Sequence, residues 1–382
     1  MGARLLDALG PIVGDRGGGL HEPVFGGNER EYLAECVDSG FVSSVGNFVT
    51  RFEGELARFV GSNNALAVVN GTSALHLALV ALGVKPGDEV IVPALSFVAT
   101  ASAVALAGAT PHFIDVSYET WGVSPEVLSA HVRDQLVWDG ERITNPATGR
   151  PVTAVVPMHT LGFPLDGIGL RRVADNYGLI LVEDAAEALG SYKEGVHAGL
   201  AGHASVFSFN GNKTITTGGG GAVVTQDSEL ASRLRHLATT AKVAHPYEFD
   251  HDDVGFNYRM PNINAALGLA QLEQLPDLIG KQRLLHEKYT GLLDQSDFWQ
   301  MKHEMPGASS NYWLQAIELN QAYAGERDEI LDACLESGVP VRPLWKPLNS
   351  LLPYKHSPSA PTPVAESLYS RVICLPSSAS LV

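Results

Sequence analysis

Between residues 65 and 226 the chain alternates short apolar, β-branched runs with longer stretches of helical character. The runs are ALAVVN (65–70), EVIVPA (89–94), PHFIDV (111–116), AVVPMH (154–159), LILVED (179–184), ASVFSF (204–209) and GAVVTQ (221–226). Such runs predict strands buried on both faces, as in a mostly parallel sheet covered by helices. GTSALHLALVALG (71–83) predicts a helix with Thr72 or Ser73 near its start and Gly83 at its end. About seven strands with intervening helices make a three-layer α/β domain.

After residue 255 the pattern changes. NINAALGLAQLEQLPDLIGKQRLLHEKYTGLL (262–293) predicts a long helical stretch, kinked or restarted at Pro276. Strand-like YWLQAIEL (312–319) and helix-like RDEILDACLESG (327–338) follow, and HSPSAPTP (356–363) reads as a surface loop. The expected division is a large α/β domain over residues 1–255 and a smaller α+β domain over 256–382.

Charge and cysteine usage narrow the functional classes. A formal net charge of −16 argues against general affinity for nucleic acid or an anionic membrane, which need clustered Lys and Arg. The start, MGARLLDALGPIVGDRGGG, is too broken by charges and glycines for a signal peptide, and no run approaches a membrane span. Cys36, Cys334 and Cys374 are odd in number and far apart, so reduced thiols and a cytoplasmic setting are expected. HPYEFDHDD (245–253) has metal-binding residue types without regular ligand spacing, so no metal is expected.

Four features fall at the ends of predicted strands, where open α/β sheets bind their ligands. In VVNGTSALH (68–76), free amides at Gly71, Thr72 and Ser73 suit a phosphate, although an ordinary helix cap reads the same way. LVEDAAEALGS (181–191) ends a strand on Glu183 and Asp184, with Glu187 one turn later. These acids either hold a protonated ring nitrogen or simply decorate a helix start. In SFNGNKTITTGGGG (208–221) the glycines follow Lys213, the reverse of a nucleotide-triphosphatase loop. Lys213 is either a Schiff-base lysine with a tight glycine path beside it or a surface lysine. Phe97, among small neighbours in PALSFVATASAV (93–104), would cover a flat ring or fill a core. Taken together, these are the parts needed to hold pyridoxal 5′-phosphate (PLP).

At this point the chain resembles the DegT/DnrJ/EryC1/StrS sugar-nucleotide aminotransferases, of the aspartate-aminotransferase-like fold (fold type I of PLP enzymes). The resemblance runs from FVSSVGNFVTRFE (41–53) to RVICLPSS (371–378), through GTSALHLAL, PGDEVIVPALSFVATASAV, EDAAEALGS, SFNGNKTITTGGGGAVVT and GFNYRMPNINAALGLAQLEQL. It implies that Lys213 forms the Schiff base, that Asp184 partners the pyridinium nitrogen and that Phe97 stacks on the ring. Ser208, with the Thr72–Ser73 region, would bind the phosphate. Asn257, with Arg259 as the alternative candidate, would reach a neighbouring subunit's phosphate, which implies a homodimer with shared sites. Glu187 stands where the family usually has glutamine, and a carboxylate cannot donate a hydrogen bond unless protonated.

The glutamate variant and PMHTLGFP (157–164) are most similar to enzymes acting at C4 of nucleotide-linked 4-keto-6-deoxy sugars. The implied reaction moves an amino group from L-glutamate to such a sugar, with Lys213 as both covalent anchor and acid–base group. A UDP-linked N-acetyl sugar, destined for bacterial surface glycan, is the expected substrate. A GDP-sugar enzyme of the perosamine type and a non-catalytic PLP or sugar-nucleotide sensor are the alternatives. His159 and Thr160 are expected to touch the sugar, against the alternative of a satisfied core histidine. Ser43, Ser44, Arg342 and Trp345 are expected to line the sugar-nucleotide cleft, with Arg342 on a diphosphate.

Overall fold

The computed structural model describes residues 1–14 and 18–382. All seven predicted runs form strands of one sheet, in the spatial order Asn64–Val68, Gly221–Thr225, Ala204–Ser208, Ile180–Asp184, Arg150–Val155, Glu89–Pro93 and Thr110–Ile114. Gly221–Thr225 runs against both of its neighbours, and every other pair along this path is parallel. Both faces are covered by helices, which is why the strands consist almost wholly of buried residues.

Local departures from the sequence pattern have identifiable causes. The strand expected at 154–159 is Arg150–Val155, ending before Pro157, which has no N–H for a ladder. A hairpin of Val137–Trp138 and Ile143–Asn145 extends the sheet to nine strands. Its only cue was the Asp139–Gly140 turn pair, with Gly140 at φ 97°. The helix after the first strand is Gly71–Ala81, and its cap is Asn70, whose side chain accepts from the Ser73 amide at 2.7 Å. The long helical stretch breaks into Asn262–Glu273 and Leu275–Leu293, with Pro276 in the first turn of the second helix.

A second, antiparallel sheet lies in the order Trp299–Met301, Gln315–Leu319, Val372–Leu375, Arg342–Pro343. Packing does not follow a cut at residue 255. The N-terminal helix Gly2–Val13 buries Leu5, Leu9 and Val13 against Leu285, Tyr289, Ile330 and Cys334, in the core of the smaller unit. In the other direction, Asn262–Glu273 packs Ala265, Ala266 and Leu269 with Phe48, Phe52 and Leu56 under the large sheet. Each helix follows its apolar stripe to the nearest open core, whatever its place in the chain. Among the described residues no helix is long and apolar enough to cross a membrane.

Candidate active site

The carboxyl ends of the large sheet open on a cavity of about 300 Å³ whose walls include Thr72, Phe97, Asp184, Glu187, Ser208 and Lys213. Asp184 is the last residue of its strand and is almost fully buried. Its Oδ2 accepts from Thr100 Oγ1 at 2.7 Å and its Oδ1 from the Ala186 amide at 3.2 Å. Burial pushes its carboxyl above the ordinary range, and these two donors and the Lys213 charge offset only part of that. A buried carboxylate with so few donors is suited to a cationic N–H partner.

Glu187 follows one turn later. Its Oε1 accepts from Lys213 Nζ at 3.0 Å and its Oε2 from the Leu161 amide at 2.9 Å. Burial outweighs both and raises its carboxyl to about 7, with the Asp184 charge adding to the rise. Lys213 is mostly buried, and its ammonium also lies over the Trp313 ring, 3.9 Å from the centroid.

The phosphate end is a backbone cradle. A Cβ on Gly71 would stand 3.0 Å from Ser208 Cβ, and one on Gly221 only 2.6 Å from the Asn70 carbonyl carbon. The last glycine of the run after Lys213 is therefore a close-approach residue that lets its strand run against the Asn70–Gly71 turn. Gly71 and Thr72 occupy the first turn of their helix, where amides have no intrahelical partner. The Ser73 amide does not join them, because the Asn70 cap takes it. The cavity wall thus brings together backbone amides and a hydroxyl, a buried carboxylate and a lysine, and an aromatic side chain. That set fits PLP. Phe97 is half exposed and meets Trp345 edge-on at 6.2 Å, so both aromatics stand at the mouth.

Other expected site residues lie elsewhere. His159 is buried with both nitrogens used: Nε2 donates to Glu183 at 3.0 Å and Nδ1 accepts from the Leu165 amide at 3.0 Å. Thr160 is buried and donates to the Trp121 carbonyl. Neither faces the cavity, so the expectation that they touch the sugar is corrected in favour of the core-histidine reading. Glu183 is likewise structural. Burial would raise its carboxyl, but His159 and the amides of Gly202 and Gly199 bring it below the ordinary range.

Ser43, exposed, gives its carbonyl to the Asn262 amide, and neither it nor half-buried Ser44 lines the cavity. Arg342 is exposed on its strand, turned to the Val341 carbonyl and away from the cavity. Arg259 is held beside Glu53 of the same chain at 3.7 Å, its buried Nε without a partner. Asn257 sits exposed beside Thr239. The 245–253 segment is exposed, with Tyr247 and Phe249 in the open, and no metal-holding group of side chains occurs among the described residues.

Three contributors carried no readable signal: Thr100, which donates to Asp184; Met158, in the wall; and Trp313, which precedes the strand Gln315–Leu319 and packs into the core of the large sheet. Thr100 lies within the quoted Phe97 segment, where a threonine in a first helical turn marks nothing by itself.

Comparison with known proteins agrees with this geometry. The DegT/DnrJ/EryC1/StrS aminotransferase family matches residues 24–382. The GDP-perosamine synthase of Escherichia coli O157:H7 is 38% identical over 362 residues, 95% of this chain and 93% of that protein. The GDP-perosamine synthase of Vibrio cholerae is 38% identical over 359 residues, 94% and 93% of the two chains. Among solved structures, the aminotransferase TlmJ from Streptoalloteichus hindustanus superposes with a TM-score of 0.85 at 30% identity, covering 95% of this chain and 94% of that one.

Proposed function

The chain belongs to the DegT/DnrJ/EryC1/StrS aminotransferase family, whose members are PLP-dependent, and from that premise we propose that it carries the amino group of L-glutamate to C4 of a GDP-linked 4-keto-6-deoxy sugar. That it is a sugar-nucleotide aminotransferase follows from the family and its relatives. The choice of guanosine is supported by the two perosamine synthases, similar over nearly their whole length. The UDP-linked sugar that the motifs first suggested draws no support from those relatives.

One observation carries the chemistry: Lys213, Glu187 and Asp184 converge on one cavity beside the Gly71–Thr72 and Ser208 cradle. Bound PLP supplies an electron sink for the pair left when the C–H bond beside the reacting nitrogen breaks. Asp184 holds a proton on the ring nitrogen, a role for which its burial and shortage of donors suit it. Thr100 fixes the orientation of that carboxylate. Gly71, Thr72 and Ser208 would hold the phosphate, and Phe97 would lie against the ring. Lys213 anchors the cofactor and, when released, moves a proton to and from the substrate carbon.

Arg259 is engaged by Glu53 of its own chain, so Asn257 is the stronger candidate to reach across a homodimer. The exposed apolar side chains of Val254, Tyr247 and Phe249 on the segment before it are consistent with such an interface.

The test is to load the purified protein with PLP and L-glutamate and offer GDP- and UDP-linked 4-keto-6-deoxy sugars separately. Mass spectrometry detects amination and NMR locates it. Amination of the GDP sugar at C4 is expected. Amination of the UDP sugar alone would overturn the guanosine reading, and amination of neither would overturn the substrate class.

A further inference from the structure

Three non-glycine residues with left-handed backbone converge behind the cavity: Trp121 (φ 57°), Leu161 (φ 54°) and Tyr312 (φ 47°). Bulky residues keep such conformations only where the surroundings over-determine them. Here the surroundings are one hydrogen-bonded frame. Thr160 Oγ1 donates to the Trp121 carbonyl, the Leu161 amide to Glu187, and Ser310 Oγ to the Gly162 carbonyl. The Tyr312 amide donates to Ser310 Oγ.

Asn311, fully buried, is the centre of the frame. Its Nδ2 reaches the Glu187 carbonyl at 2.9 Å and Thr214 Oγ1 at 3.3 Å, and its Oδ1 accepts from the Trp313 amide at 2.9 Å. Gly162 permits this approach, since a Cβ there would stand 2.0 Å from Asn311 Oδ1. The frame delivers Trp313 to Lys213 in two ways. The indole N–H donates to the Asn212 carbonyl at 2.6 Å, tethering the residue next to the lysine, and the ring face lies 3.9 Å from Nζ. Behind it, His21 packs obliquely at 6.4 Å. Burial and the Lys213 charge lower His21 to about 4, so it stays neutral and does not compete for the ring face.

We infer that Trp313 is the positioning residue for the free amine of Lys213, holding the ammonium between its ring face and the Glu187 carboxylate whenever that amine is disengaged. The segment leading into the strand Gln315–Leu319 thereby decides where the released amine waits. A lysine with four rotatable bonds would otherwise lose its place beside the substrate carbon between the two halves of the reaction. The inference rests on reading Lys213 as the cofactor lysine.

The test measures the acetylation rate of Lys213 by acetic anhydride in the PLP-free protein at neutral pH. Peptide mass spectrometry reads it against exposed Lys355. Trp313→Leu is expected to raise the relative rate about tenfold, equivalent to about 1.4 kcal/mol and within the range of a partly desolvated cation–π contact. Trp313→Phe, which keeps a ring face but no N–H, is expected to stay within about threefold of wild type. Wild-type protein carrying progressively fluorinated tryptophan keeps its shape and loses face charge, so its rate should climb stepwise. This arm decides the matter if the Leu variant does not fold. An unchanged rate in Trp313→Leu, an equal rise in Leu and Phe, or a flat fluorination series would each overturn the inference. Failure of the underlying reading would appear separately: after borohydride reduction of the PLP-loaded protein, the cofactor's mass would not be found on Lys213.

Discussion

Glu89 and Glu187 are both shut away from water, one at the entering end of the central sheet and the other at its leaving end. Glu89 opens the strand Glu89–Pro93 and accepts from His112 Nδ1 and Asn145 Nδ2, each at 2.8 Å, and from Thr148 Oγ1. Burial would raise its carboxyl, yet His112, Thr148 and Asn145 bring it below the ordinary range. Glu187 has an amide and one lysine, and burial leaves its carboxyl raised to about 7. The number of donors decides which buried carboxylate holds structure and which stays available for proton chemistry. At the entering end the donors tie the 137–150 hairpin segment to the sheet. At the leaving end the frame leaves acids under-supplied, facing a cavity.

The sharpest break in this contrast would come from Asp184→Asn. Losing the charge that holds a proton on the cofactor ring should lower the rate of the glutamate half-reaction by about 10²–10⁴-fold. The melting temperature of the PLP-free protein should not fall, because a poorly supplied buried charge has been removed. A rate near wild type by stopped-flow absorbance would sink the assignment.

At the other end, Glu89→Ala should act in the opposite sense. It strands two buried donors, on His112 and Asn145, and frees Thr148, and should cost about 2–4 kcal/mol in urea unfolding, with turnover per folded molecule unchanged. Unaltered stability would mean that the entering cluster is ornamental.

Glu187→Gln is the subtlest variant. Because burial raises the folded carboxyl to about 7 while the unfolded one keeps the ordinary glutamate value of 4.5, the native state binds more protons between those pH values. Wild-type stability therefore falls as pH rises from about 4.5 to about 7, and the variant lacks that slope. Thermal melts of the PLP-free proteins should show the variant gaining on wild type between pH 5 and pH 7.5, by at most about 3 kcal/mol. Parallel melting curves would show that Glu187 is ionised across the range.

Much of the site was legible because it sits at strand ends. Seven apolar runs located the ends, and the small residues and acids beyond them marked Gly71, the Glu183–Asp184 pair and Lys213, while Ser208 came from the resemblance. Residues adjacent in sequence were harder to separate. Successive side chains on a strand point to opposite faces, so Glu183 and Asp184 must have different fates. Which one faces the cavity depends on what packs on each face, and resemblance rather than periodicity selected Asp184. His159 misled for the same reason: a strand-end histidine looks available until its partners Glu183 and Leu165 are seen.

By itself, then, the sequence determined the buried parallel sheet, the edge of it that carries chemistry, and the lysine and acids placed there. Those features are written in local spacing, which short-range sterics and burial read directly. Only the tertiary structure decided that the N-terminal helix joins the smaller unit's core, that Arg259 is held by Glu53, and that Trp313 lies over Lys213. Those depend on packing between segments tens to hundreds of residues apart. No local pattern specifies it, because the energy of each contact exists only once both surfaces have left water.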